Sequence, residues 1–233
     1  MKTQIKLHQI SFLIVLFALC CSGCATSEKQ VQRWEKEGNV TKLSEVAREK
    51  SESALIRKKS LESLARLNWK PSNEERFQVY SLFASEAGQK EALSLMQSTS
   101  ADQFSEIDKD IVSCSSLLDA NSGTWRDDAQ ARPLYEKLRS LNGKAVTISL
   151  CQQIVARPEL QTPILLLSIK LGVNGSEEDL TAVLFEYGDK EMAEDYLNCG
   201  SYALSNGGAR WANEHGYSVM PGSGSNRSGW GQF

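Results

Sequence analysis

From residue 27 onward, apolar residues recur every three or four positions rather than every second one. That spacing predicts helix after helix. Val40, Leu43, Val46 and Ala47 form one stripe, and Ile56, Leu61, Leu64, Ala65 and Leu67 form another within 53–68. Ser27 is placed to cap a first helix that runs through Trp34 and ends at Gly38. Pro71 stops the helix of the second stripe. Ser72 and Glu75 then offer a capping box for a helix carrying Phe77, Tyr80, Phe83 and Ala84 on one side. A short helix over 90–96 precedes a polar break at 97–102, a candidate boundary. Further helices are predicted over 105–119, 128–141, 144–156, 158–171, 177–187, 191–198 and 204–215. Pro158 suits a first turn, and Gly188, Gly200 and Gly216 suit left-handed helix ends. Residues 121–126 read as a surface loop. Strand-like alternation is confined to 217–220, where it can pair with part of the Gly- and Ser-rich tail, 222–231.

The first 23 residues follow another pattern. Lys2, Lys6 and His8 precede an apolar run from Ile10 to Cys21 that only Ser11 interrupts. A basic start, a short apolar run and small residues make a secretory signal, and the run is short of the ~20 apolar residues of a membrane span. It ends in Cys21-Ser22-Gly23-Cys24, which resembles a bacterial lipobox, with Cys21 where that family usually has leucine. The resemblance implies cleavage before Cys24, a diacylglycerol on its thiol and an acyl group such as palmitate on its new amino group. It implies a protein held on a membrane of the bacterial cell envelope. Ala25, a non-acidic second residue, favours the outer membrane if the organism is Gram-negative. The alternatives are an ordinary secretory signal or an uncleaved anchor.

Removing the leader takes two of the 26 basic residues and none of the 29 acidic ones, so the remaining 210 residues carry a formal charge of −5. An apolar share of 41% with 24% charged residues suits a folded protein. There is no basic stripe interleaved with aromatics, which argues against nucleic acid as a partner. Beyond Cys24 the cysteines are Cys114, Cys151 and Cys199. Cys114 and Cys151 fall in separate predicted helices that could pack side by side. One disulfide between them, in an oxidising envelope, and three buried reduced thiols are both open readings.

Short helices in succession suggest stacked antiparallel hairpins. Within 53–75, Ile56-Arg57, Leu61, Leu64-Ala65, Leu67 and Trp69-Lys70-Pro71 resemble the second helix and exit turn of a bacterial HEAT-like repeat, with Asn68 in place of the usual glycine. At the other end, Trp211, Ala212, His215, Gly216 and Tyr217 are similar to the closing segment of such proteins. The resemblance implies an all-α fold, a HEAT-like α-solenoid of stacked antiparallel helical hairpins with a short irregular or β-containing C-terminal tail, and a binding surface rather than a reaction. The expected organisation is a signal peptide at 1–23, a HEAT-like region at 24–100, a second helical region at 101–221 and a tail at 222–233.

Candidate chemistry is sparse. His215 is the one histidine after the leader, and its place before Gly216 suits a helix end. The three later cysteines lack the close spacing of a zinc site, and no calcium loop or phosphate loop is present. No metal or cofactor is expected. Acids gather at 177–179, in a helix's opening turn, and at 191–195, on a helical face. Trp69 and Trp211 belong to packing motifs, whereas Trp125 and Trp230 lie in loop and tail sequence and are the candidates for partner contact. The expected function is therefore a non-catalytic, membrane-anchored protein-interaction module whose partner is an envelope protein or peptide. The alternative is an envelope hydrolase that uses carboxylates on a helical scaffold.

Overall fold

The computed structural model describes residues 26–119, 124–125, 129–220 and 229–231. The expected signal peptide at 1–23, Cys24, Ala25 and most of the tail lie outside the described residues. The fold is all-α: α1 (Glu28–Lys36), α2 (Val40–Arg48), α3 (Ala54–Arg66), α4 (Asn73–Ser81), α5 (Glu86–Ser98), α6 (Ala101–Leu117), α7 (Ala131–Ser140), α8 (Gly143–Ala156), α9 (Gln161–Leu171), α10 (Ser176–Tyr187), α11 (Lys190–Asn198) and α12 (Tyr202–Glu214). Every predicted helix is present, with shifted bounds. Among the described residues, no helix is long and apolar enough to cross a membrane.

Local signals explain the starts and stops. The capping boxes of Ser27 with Gln30, Ser72 with Glu75 and Ser100 with Gln103 open α1, α4 and α6. Asn68, where the resemblance wanted glycine, takes a left-handed φ of 55°. The Trp69 N–H then reaches back to the Leu64 carbonyl at 2.9 Å and the Asn68 N–H to that of Ala65 at 3.1 Å, the paired closure that needs such a residue. Gly216 closes α12 in the same way, with Tyr217 N–H on the Ala212 carbonyl at 2.8 Å.

Three expectations change. Gly188 is extended (φ −68°, ψ 150°) rather than left-handed; a Cβ there would stand 2.1 Å from the Leu184 carbonyl oxygen, so close approach demands the glycine. Pro158 starts a separate 3-10 turn, Pro158–Leu160, before α9, whose own first turn holds Pro163, a residue that cannot donate a backbone hydrogen bond. The segment read as a loop at 121–126 contributes a strand: β1 (Leu118–Asp119) pairs antiparallel with β2 (Thr124–Trp125), Leu118 opposite Trp125. The expected strand near 217–220 is β3 (Ser218–Met220). It pairs with β4 (Gly229–Gly231) in the tail, Val219 opposite Trp230.

One core joins buried residues from Val31 to Trp211, on both sides of the polar break. Its spine is α8. All its residues from Ala145 to Ala156 are buried, and it touches α3, α4, α5, α6, α9 and α10. Two ion pairs of long sequence range, Arg57 with Glu186 and Lys58 with Asp189, tie α3 to the end of α10 and the start of α11. Arg57 and Lys58 are each only 5% exposed. At the C-terminal end α12 lies close on α11: a Cβ on Gly208 would come within 2.9 Å of the Ala193 carbonyl oxygen.

Candidate functional site

A fourteen-residue helix is about 21 Å long, and α8 carries its charged and amide side chains toward its two ends, with Thr147 and Ser149 buried between them. Each end opens onto a concave surface.

At the N-terminal end, Asn142 caps α8 by accepting from the Lys144 and Ala145 N–H groups. Lys144 turns into a cleft of about 660 Å³ whose lining includes Gly88, Glu91, Gly172, Gly175 and Asp179. Its ammonium donates to Asp179 Oδ2 at 2.9 Å and lies 3.4 Å from Glu91 Oε2. The buried Tyr80 hydroxyl donates to the same Asp179 oxygen at 2.9 Å. Burial works to lower the Lys144 pKa, but the hydrogen bond and charge of Asp179, with Glu91 behind it, outweigh burial and raise it. Burial, reinforced by Asp179, holds the Tyr80 phenol far above its ordinary value. The cluster is thus a paired cation and a neutral phenol, suited to fastening α4, α8 and α10 together rather than to taking a proton.

At the C-terminal end lies a groove of about 740 Å³. One wall is the exit of α3, with Trp69 and Lys70. The other is a stripe of α6, residues 102, 105, 106, 109, 112 and 113, and the floor is Gln152, Gln153 and Ala156 of α8 with Arg157 just past its end. The stripe follows helical spacing, so one face of α6 lines the groove. Beneath the floor, the fully buried Arg76 donates to Asp108 Oδ2 at 2.7 Å and to Gln152 Oε1 at 2.5 Å, and its guanidinium lies 4.7 Å from the Phe104 ring centre. This network fixes the Gln152 side chain and neutralises Asp108.

The residues singled out in the sequence do not converge here. Cys24 lies outside the described residues. Trp125 and Trp230 take part in the two ladders through their backbones; their expected partner contact falls outside what is described. His215 ends α12. Its Nδ1 lies 2.7 Å from the Trp211 carbonyl oxygen and its ring stacks on Trp211 at 3.9 Å, a helix-end role. Of the first acid cluster, Asp179 is the buried partner of Lys144 and Glu177 accepts from Ser201 at 3.2 Å.

The candidate disulfide between Cys114 and Cys151 is not formed: both thiols are free and buried, as is Cys199. Helices α6 and α8 do pack together, but the two thiols have different surroundings. Cys114 lies 3.9 Å from the Ala131 carbonyl oxygen at the start of α7, whereas Cys151 is close enough to Asp179 and Lys144 to feel their charges. Burial, helped by Asp110, pushes Cys114 up to about 12, and burial also raises Cys151 and Cys199. Three protonated, inert thiols result.

The groove was not anticipated from the sequence. Its signal was the adjacent pair Gln152-Gln153 inside a helix that carries no charge between Ala145 and Ala156. Among the described residues, no group of three His, Cys, Asp or Glu side chains could hold a metal ion. No family model, no curated protein and no solved structure matches this protein.

Proposed function

We propose that this protein is a lipid-anchored, non-catalytic interaction module of the bacterial cell envelope. Helical hairpins stack in a HEAT-like, solenoid-like manner around α8, and the groove at its C-terminal end receives a protein or peptide. Acyl groups on Cys24 hold the module at a membrane, the outer one if Ala25 is read as in Gram-negative lipoproteins. The observation that carries the docking part is the open groove with Trp69 on one wall, an α6 stripe on the other and two glutamine amides on its floor. It combines aromatic surface with polar groups that can orient a bound peptide.

The hydrolase alternative would draw on carboxylates that share a concavity: Glu91, Glu178 and Asp179 at one end of α8, and Asp102, Glu106 and Asp108 at the other. Glu91 and Asp179 converge on the Lys144 ammonium and Asp108 is held by Arg76, so these three already serve ion pairs. That favours the binding module.

The test is photocrosslinking in living cells. A photoreactive amino acid at Ser105 or Lys109, on the groove wall, is expected to give a discrete adduct with one envelope protein, while the same group at Glu86 or Lys90, on exposed α5, gives none. Equal adducts from both sets, or none from the groove, would overturn the reading.

A further inference from the structure

Gln153 is 8% exposed and lines the groove, yet its amide makes no hydrogen bond to any described residue. Neither polar atom of that amide is among the fully buried unpartnered ones, so its donor and its acceptor are both open to a ligand in the groove. Beside it, the Gln152 Oε1 is taken by Arg76, which leaves the Gln152 NH₂ as a donor. The buried Arg157 Nε also has no partner among the described residues. These groups match what a peptide backbone presents: a glutamine amide can accept from a backbone N–H and donate to a backbone carbonyl at once.

The charges in the groove are uneven once paired groups are set aside. Asp108 is held by Arg76 at 2.7 Å, and Glu106 faces Lys137 at 3.8 Å. Lys70 and Lys109 are exposed and, among the described residues, make no ion pair; Arg157 reaches Glu159 only at 3.7 Å. With Arg157 and Glu106 met only by these long contacts of 3.7 Å and 3.8 Å, three cations stand over the floor against two acids, Asp102 and Glu106. From Asp102 to Ser113 the α6 wall is about 16 Å long, which accommodates about five residues of extended peptide.

We infer that the groove binds a short, extended, acidic peptide segment of a partner protein. Its backbone is bonded by Gln153 and the Gln152 NH₂, and its carboxylates are met by Lys70, Lys109 and Arg157. The inference rests on the interaction-module reading and specifies what the groove selects.

The test is fluorescence polarisation with the purified full-length protein in detergent and two labelled hexapeptides, one alternating Glu and Ala, the other Gln and Ala. The Glu peptide is expected to bind about tenfold more tightly or better, and to weaken as salt is raised. Lys109→Glu, at an exposed site that leaves the fold intact, should remove that preference. Gln153→Leu should weaken both peptides while Lys109→Glu weakens the Glu peptide alone. Equal binding of the two peptides, or an unchanged preference in Lys109→Glu, overturns the acidic class. If neither peptide binds but groove photocrosslinks still form, this inference fails and the module stands. If the crosslinks are missing as well, both fail.

Discussion

Asp179→Ala is expected to destabilise the protein by about 3 kcal/mol, because it leaves a mostly buried ammonium without its nearest counter-charge. Lys144 is 15% exposed at its side chain and its other carboxylate, Glu91, is 3.4 Å away and 59% exposed, which keeps the loss below that of a fully enclosed pair. For a domain of this size the melting temperature should fall by about 10 °C. Asp179→Asn, which can still accept from Tyr80, should cost less than the alanine. The pair also predicts a pH dependence. The folded-state pKa of Lys144 is raised above the ordinary 10.5, so its contribution is complete below that value and fades as the pH climbs through the raised one. Thermal melts of the two variants from neutral to strongly alkaline pH check both statements. Equal stability of wild type and Asp179→Ala would mean that α4, α8 and α10 are not fastened through this cluster.

Cys24→Ala is expected to have the largest effect in the cell. Under the proposed tether, several acyl groups on that residue hold the protein at a membrane, each buried methylene adding ~0.8 kcal/mol. Without the thiol there is no acceptor for the diacylglycerol. Palmitate labelling should vanish and the protein should leave the membrane fraction or accumulate with its leader attached. Ser22→Ala keeps a small residue before the cut and should behave as wild type. Unchanged labelling and fractionation of Cys24→Ala would remove the lipid anchor from the account and leave the groove proposals standing.

Much of the fold was legible because its punctuation is local. Ser27, Ser53 and Ser72 accept from backbone N–H groups three residues on, and each sits where the apolar rhythm begins. The closures at Asn68 and Gly216 use residues that tolerate positive φ. Local signals mislead where packing stands behind them. Predicted to begin at Lys90, α5 in fact begins at Glu86, with Gly88 in its first turn; a Cβ on that glycine would meet the Tyr80 hydroxyl at 3.1 Å. The polar break at 97–102 conceals Ser100 and Gln103, a capping box, so α6 starts four residues early.

The sites were less legible because their members are far apart in sequence. Nothing near Lys144 announces Asp179, and nothing near Arg76 announces Gln152; only the packing of several helices on α8 brings these charges and amides together. A disulfide and three reduced thiols could not be separated by sequence, since helix adjacency says nothing about which way each sulfur points. The tryptophans expected as exposed contacts, Trp125 and Trp230, fall in the short ladders, whereas the tryptophan that lines the groove, Trp69, reads as a packing residue. It serves both roles, lying partly buried against the core and along the groove wall.

Both surfaces depend on α8 being a rigid buried spine, with Lys144 at one end and Gln152 and Gln153 at the other. Native-state hydrogen exchange of the full-length protein measures this directly. The amides from Ile148 to Ala156 are predicted to exchange only through global unfolding and to be the slowest in the protein, while those of α1 and the exposed face of α5 exchange through local opening. Exchange in α8 as fast as in α1 would contradict the account.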